Sequence, residues 1–390
     1  MDLDALDIDA LRRRLGEKWA TYPDDVLPAW VADMDFPVAE PIRRHLEQAI
    51  AGSDLGYAVN PTPQSLPTVF AERMQARFGW SVDPERIEVL TDVVQGLYIS
   101  LLVYSEAGDA AVTQLPIYPP FLHALRESGR RRIESRLVPG RERYEIDLDA
   151  LRAGIDDRTR LLLLSNPQNP TGRAFSRGEL QQLAELALAR DLIVISDEIH
   201  SDLVYPDAMH VPFATLGPEI EARTVTLTSA TKAFNIAGLR CSIAAFGSER
   251  LQDRFNTVLR HVRGGIGILG LEATRIAWQQ CDGWLAVVLA YLRANRDHTA
   301  EFVRKHWPEM SHLPPEATYL AWLDCRALDL PGGPYHFFLR EARVALSNGP
   351  AFGEEYAGFV RLNFATSRPI LTQILERMDT ALRSHRRAGA

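Results

Sequence analysis

Between about residue 85 and residue 250 the chain alternates short apolar runs with longer amphipathic ones. Arg86 to Leu90 reads as a strand, followed by an apolar helix from about Val93 to Tyr104. Ala110 to Thr113 and Leu161 to Ser165 are short, uninterrupted apolar runs of the kind that suits strands buried on both faces. Ser176-Arg177-Gly178-Glu179 has the S-x-x-E capping-box pattern, and Leu180, Leu183, Ala184, Ala187 and Leu188 then share one helical face. Leu192 to Ser196 and Thr224 to Thr228 are β-branched runs of strand length. Strands alternating with helices predict an α/β fold, a mainly parallel sheet covered on both faces.

After about residue 250 the pattern changes. A long helical pattern runs around Trp284 to His306, and candidate strands follow at Thr318 to Leu323 and Phe359 to Phe364. The expected organisation is a large domain over residues 46–283 and a smaller α+β domain built from residues 284–390 with the N-terminal segment 1–45.

Composition narrows the function classes. The chain has 390 residues, 46% hydrophobic and 24% charged, and a net charge of −8 with only short Arg runs such as Arg130-Arg131-Arg132. That argues against a nucleic-acid or anionic-membrane partner. No apolar stretch approaches membrane-spanning length, and the acidic start Met1-Asp2-Leu3-Asp4 lacks a signal pattern. Cys241, Cys281 and Cys325 stand far apart, which fits a reducing cytoplasm and argues against a structural zinc. Gly265-Ile266-Gly267-Ile268-Leu269-Gly270 matches G-x-G-x-x-G but follows helical, basic sequence rather than a strand. Tight backbone packing or a subunit contact suits it better than a dinucleotide site. The basic residues are almost all arginine: the lysines are Lys18, Lys232 and Lys305. Lys18 in a charged N-terminal helix and Lys305 at a helix end both read as solvated.

In open α/β sheets ligands bind beyond the carboxyl ends of the strands. After Leu161 to Ser165 comes Asn166-Pro167-Gln168-Asn169-Pro170-Thr171-Gly172, after Leu192 to Ser196 come Asp197, Glu198 and His200, and after Thr224 to Thr228 come Ser229, Thr231 and Lys232. Three successive strands thus deliver an amide, a carboxylate with an imidazole, and a hydroxyl with an amine to one edge. An amine can form an imine with an aldehyde cofactor and then move protons, and a carboxylate facing a pyridine nitrogen keeps it protonated. Taken singly, each has a plainer reading. Asp197 is a candidate helix N-cap, Asn169 belongs to turn chemistry, His200 suits a core, Tyr118 is a core aromatic and Arg361 alternates with apolar residues on a strand as a solvated charge.

In combination these residues resemble the fold-type I pyridoxal-phosphate (PLP) enzymes of the class I and II aminotransferase superfamily. The order Asn-Pro-x-Asn-Pro-Thr-Gly, Asp-Glu, Ser-x-x-Lys carries the likeness across nearly the whole chain. The nearer likeness is to cystathionine β-lyases and maltose-regulon modulators, the C–S lyases of the superfamily. It rests on Trp30-Val31-Ala32-Asp33-Met34-Asp35-Phe36, Gly56-Tyr57, Ile117-Tyr118-Pro119-Pro120-Phe121, Asp197-Glu198-Ile199-His200 and Lys232-Ala233-Phe234-Asn235-Ile236-Ala237-Gly238-Leu239.

The resemblance implies the aspartate aminotransferase fold and PLP held as a Schiff base on Lys232, which also acts as the base. It implies that Asp197 pairs with the pyridinium, that Asn169 and His200 bond the phenolic oxygen, and that Tyr118 stacks on the ring. Val93 and Val94 at a helix start would cradle the phosphate with Ser229 and Arg240, and Tyr57 would reach it from a second subunit, giving a homodimer with shared sites. Arg361 would clamp the substrate carboxylate, with Tyr57 and Asp33 also facing an amino-acid substrate. The implied reaction is β-elimination from cystathionine or another S-substituted cysteine to thiol, pyruvate and ammonia; a class I/II aminotransferase is the alternative. Two departures stand out. Asp92 sits in the phosphate cup where a small residue is usual, and would repel phosphate if it pointed inward. Arg240 looks more like an aminotransferase residue.

Overall fold

The computed structural model describes residues 2–58, 65–259 and 261–388. A short strand β1 (Leu27–Pro28) opens the chain, and the main sheet then begins with β2 (Ile87–Leu90), β3 (Ala110–Leu115), β4 (Arg131–Pro139) and β5 (Tyr144–Ile146). It is completed by β6 (Thr159–Ser165), β7 (Ile193–Asp197), β8 (Thr224–Thr228) and β9 (Ser242–Phe246), in the spatial order β2-β9-β8-β7-β6-β3-β4-β5. The pairs from β4 through β3, β6 and β7 to β8 are parallel, while β9 runs antiparallel to both neighbours and β5 to β4.

The continuous apolar runs have the cause that their pattern suggests. Along β6, Leu161 and Leu163 enter one buried cluster while Leu162 and Leu164 enter another on the opposite face. Side chains alternate across a strand, so a strand covered on both faces carries apolar residues at every position. One cover is the helix Arg177–Ala189. Its capping box is formed: Ser176 Oγ accepts from Glu179 N at 3.3 Å, and Glu179 Oε2 accepts from Ser176 N at 2.8 Å. Leu180, Leu183, Ala184 and Ala187 are buried beneath it, Leu186 joins them, and Leu188 lies only partly covered at the margin.

Beyond the sheet, the helices Ile268–Gln280 and Asp282–His306 lead to a three-stranded antiparallel sheet of β10 (Leu320–Asp324), β12 (Ser347–Asn348) and β13 (Phe359–Asn363), with β13 in the centre. Between them, β11 (Val344–Ala345) pairs in parallel with β1, so the N-terminal segment is anchored to the C-terminal part of the chain. No helix among the described residues is long and apolar enough to cross a membrane.

The strand-like runs at β4, β5 and β9 go beyond the sequence reading. β4 is amphipathic, and its buried Ile133, Ser135 and Leu137 alternate with more exposed residues as expected near a sheet margin. Lys18 corrects the sequence reading outright. It is buried, 3.0 Å from Asp35 Oδ2 and 3.1 Å from the Asp33 carbonyl. Lys305 is exposed as expected.

The glycine-rich stretch packs backbone to backbone. A Cβ at Gly270 would lie 2.1 Å from the Leu239 carbonyl oxygen, in the turn that carries Arg240. Gly270→Ala is therefore expected to cost about 1–3 kcal/mol through overpacking, read as a lower urea midpoint. An unchanged midpoint would mean that the helix can draw back from Leu239 freely.

Candidate active site

The adjacent strands β6, β7 and β8 end at one edge of the sheet, and the loops after them line one cavity of about 350 Å³ with Asn169, Asp197, His200, Ser229, Thr231 and Lys232. Val93 and Val94, the first residues of the helix Val93–Tyr104, line the same cavity, as do Tyr118, Arg240 and Arg361. Two expected site residues stand elsewhere. Asp33 is 3.9 Å from the Lys232 amine but opens onto a smaller neighbouring cleft beside Arg14 and Trp19, and Tyr57 is fully exposed.

Lys232 Nζ donates to the Ala32 carbonyl at 2.9 Å. Burial pushes its pKa down, Asp33 opposes that shift, and Arg361 and Arg240 add to it. An amine held toward its neutral form is a nucleophile and a base. Burial pushes the Asp197 carboxyl up to about 7, against the hydrogen bond that Oδ1 accepts from Ile199 N at 3.0 Å. Asp197 ends β7 with no helix after it, so the N-cap reading fails. Burial also lowers the His200 pKa to about 3, with Lys232 and Arg361 adding to the fall. The ring is thus neutral at physiological pH, and its buried Nδ1 has no hydrogen-bond partner among the described residues.

Arg361 is buried on β13, not solvated as its strand position alone suggests. Its Nη1 donates to Asn169 Oδ1 at 2.8 Å, and its Nη2 to the Trp30 carbonyl at 2.9 Å and Ser347 Oγ at 3.0 Å. The guanidinium lies 4.9 Å above the Phe352 ring, which leaves a planar, oriented donor at the cavity wall. Burial pushes its pKa down to about 10, so it stays charged at neutral pH.

At the helix start, Asp92 Oδ1 accepts from Gln95 N at 2.8 Å and its Oδ2 pairs with Arg240 Nη1 at 2.8 Å. The carboxylate is spent on a cap and an ion pair, which leaves the N–H groups of Val93 and Val94 without a side-chain partner at the helix's positive end. Ser229 Oγ donates to the Cys241 carbonyl at 2.6 Å and lies 2.8 Å from Thr231 Oγ1.

Above Lys232 passes the segment Trp30 to Phe36, held by residues that the sequence reading did not single out. Asn363 Nδ2 donates to the Val31 and Asp33 carbonyls, both at 2.7 Å, and Asn235 Nδ2 to those of Met34 and Phe36, at 3.0 and 2.8 Å. Tyr319 adds a bond to the Ala32 carbonyl at 2.8 Å and Arg14 one to the Asp35 carbonyl at 2.9 Å. Asn363 had a usable signal: it lies two residues after Arg361 on one strand, hence on the same face. Asn235 is at φ 56°, a left-handed conformation that Asn tolerates, directly after the lysine turn.

These groups fit PLP. A free helix start with Arg240 suits a phosphate, a buried carboxylate suits a ring N–H, an unpartnered neutral His200 with Asn169 suits a phenolic oxygen, and Lys232 suits the aldehyde. The carboxylate also yields a test. The ordinary Asp pKa is about 3.9, and the folded value is raised. The stability tied to protonated Asp197 is therefore present at low pH and lost as pH rises through about 7. In protein stripped of cofactor, Asp197→Asn is expected to be stabilising, and the gain should grow by on the order of 2 kcal/mol between about pH 5 and pH 8. Denaturant melts at the two pH values measure it; a gain independent of pH would remove the buried-carboxylate account.

Comparison with known proteins places the chain in a family. The family model described as aminotransferase class I and II matches residues 31–378. Cystathionine beta-lyase PatB of Bacillus subtilis is 34% identical over 389 residues, spanning 97% of this chain and 100% of that protein. The crystal structure of the PLP-bound C-S lyase from Staphylococcus hominis has a TM-score of 0.91 at 30% identity, covering 98% of this chain and 99% of that one. The crystal structure of OvoB has a TM-score of 0.91 at 39% identity, covering 96% and 97%. The chain belongs to the class I and II aminotransferase family, on the branch that holds these lyases.

Proposed function

We propose that this protein is a PLP-dependent carbon–sulfur lyase that converts cystathionine or another S-substituted L-cysteine to a thiol, pyruvate and ammonia. The observation that carries the reading is the single cavity in which a desolvated Lys232 amine stands among Asp197, Asn169, His200 and Arg361. The names of the relatives, cystathionine beta-lyase and C-S lyase, support the outcome over transamination.

PLP, when bound, supplies an aldehyde for the substrate amine and a cationic ring that draws electrons from Cα. The protein's own groups do the rest. Arg361, its planar fork fixed by Asn169, Trp30 and Ser347, seats the substrate carboxylate and so fixes which Cα bond faces Lys232. The neutral Lys232 amine takes the Cα proton. Asp197 would keep the ring nitrogen protonated, since a cation opposite the carboxylate offsets the burial that raises its pKa. Neutral His200 offers a hydrogen bond without adding charge. The electron pair left on Cα by the departed proton then forms a Cα–Cβ double bond as the C–S bond breaks, sulfur leaves as thiolate, and one water converts the remaining three-carbon enamine to pyruvate and ammonia.

The working unit in this reading is a homodimer whose sites are shared. Tyr57 is fully exposed and Leu55 and Ile50 near it in sequence are largely so. Leu259 and Val262 are also exposed, and the adjoining Arg263 carbonyl accepts from Gln95 of the phosphate cup at 2.7 Å. Apolar surface beside the cup suits a subunit contact that brings the partner's Tyr57 to the phosphate. The three cysteines are free and buried, which accords with a reducing cytoplasm.

Purified enzyme given an S-substituted cysteine without any 2-oxo acid should release thiol and pyruvate in sustained turnover. Dependence on added 2-oxo acid would instead establish a transaminase. Lys232→Ala should lose at least about 100-fold in rate, along with the imine absorbance. Mixing Lys232→Ala with Tyr57→Ala chains should restore about a quarter of wild-type activity, through hybrid dimers with one intact site. No recovery on subunit exchange would place Tyr57 outside the partner's site.

A further inference from the structure

A second cavity lies at the opposite edge of the main sheet, where β3, β6, β7 and β8 begin and where the helix Val93–Tyr104 ends. Its volume is about 830 Å³, and it shares no lining residue with the Lys232 cavity. That size falls within the range of small-molecule pockets.

The walls carry Arg158, Arg160, Arg223, Arg250 and Arg254. Against them stand Glu106, Asp109 and Asp191, on a chain whose net charge is −8. Two arginines are committed: Arg158 pairs with Asp109 at 3.3 Å and Arg223 pairs with Asp191. The other three have no carboxylate partner among the described residues. Arg160 donates only to the carbonyls of Asp157 and Thr159, at 2.8 and 3.2 Å, and Arg254 lies 5.7 Å over the Tyr104 ring. Arg250 makes no ion pair there. Among the described residues, three guanidinium charges thus face one concave space with Glu106 as its one unpaired carboxylate.

We propose that this cleft is a binding site for a small molecule carrying two or more phosphate or carboxylate groups. Like charges gathered in a concavity repel, and focusing of their field raises the local concentration of anions. Guanidinium forks match phosphate and carboxylate oxygens bidentately, whereas a monovalent anion meets only one of them. The buried Tyr104 is covered by Arg254 and bonded through its hydroxyl to the Leu251 carbonyl at 2.6 Å, so it offers no open face to a nucleobase. Recognition is therefore of charge and spacing, and Glu106 directs the anionic groups toward the Arg160, Arg250 and Arg254 side.

The test is calorimetric titration of the PLP-loaded enzyme, in which the cofactor occupies the other anion seat, with tripolyphosphate, citrate and inorganic phosphate at low salt. Tripolyphosphate or citrate should bind saturably and at least about tenfold more tightly than inorganic phosphate. Tighter tripolyphosphate identifies a phosphorylated ligand and tighter citrate a polycarboxylate. The exposed pair Arg250→Ala/Arg254→Ala should weaken binding at least about tenfold, and Arg160→Ala, on a different element, should weaken it by a smaller factor. Absence of saturable binding at millimolar concentrations of both polyanions overturns the proposal, as does binding of full strength in the double variant.

Discussion

The structure turns on one stretch of irregular backbone, Trp30 to Phe36. A loop buried between layers has no ladder to satisfy its peptide groups, and each unmet carbonyl would carry the desolvation penalty of a lost hydrogen bond. Here every carbonyl from Trp30 to Phe36 accepts from a side chain: Arg361 and Ser347, Asn363, Lys232 and Tyr319, Lys18 with Asn363, Asn235, Arg14, and Asn235 again. The donors come from the N-terminal segment, the loop after β8 and the small sheet. Satisfying one loop therefore fixes the relative placement of the parts that build the cavity. Lys232 and Arg361 are themselves among the donors, so the geometry of the reacting groups and the integrity of the loop are the same problem.

That constraint also organises the charges. Lys18 and Asp35 form a buried pair, and Trp19 Nε1 donates to Asp35 Oδ1 at 2.7 Å. A buried pair of this kind is weak evidence for stability, but removing one partner strands the other and costs several kcal/mol. Because Asp35 belongs to the loop and Lys18 also bonds the Asp33 carbonyl, a role in fixing the loop's conformation is the natural one. The cavity also carries three deeply buried ionisable groups, the Lys232 amine, the Arg361 guanidinium and the Asp197 carboxyl, beside the more exposed Asp92–Arg240 pair. Burial moves the amine and the carboxyl toward their neutral forms, which lowers the cost of holding them out of water. It also leaves each group responsive to a partner of opposite charge.

Much of this was legible in the sequence because the main sheet is buried on both faces, and burial on both faces writes strands as unbroken apolar runs. β6, β7 and β8 could be placed from Leu161 to Ser165, Leu192 to Ser196 and Thr224 to Thr228, and the residues after each run converge as the strand order requires. The amphipathic β4 and the short β5 lack that signature. Lys18 misled because sequence context weighs a lysine beside Glu17 as solvated, while its partner Asp35 lies on a loop whose path no local pattern describes. The role of the amide donors Asn235 and Asn363 was hidden for a related reason, although the spacing of Asn363 from Arg361 does place it on the same strand face. Their role is set by which distant carbonyls they meet, and only the assembled loop defines those.

Asp92 shows how a local departure can be absorbed by its neighbours. A carboxylate at the mouth of a phosphate seat is unfavourable if it competes for the same donors. In this chain it takes Gln95 N, a donor one turn inside the helix, and leaves the outer N–H groups of Val93 and Val94 to the cavity. Its other oxygen engages Arg240, a left-handed residue (φ 51°) in the turn that Gly270 packs against. The ion pair thus holds a long, largely exposed side chain beside the cup, at the cost of offsetting part of its attraction for an incoming phosphate. In the proposed reading Arg240 would serve the cofactor's phosphate, so its aminotransferase-like character would bear on cofactor seating and leave the fate of the substrate to the groups around Lys232.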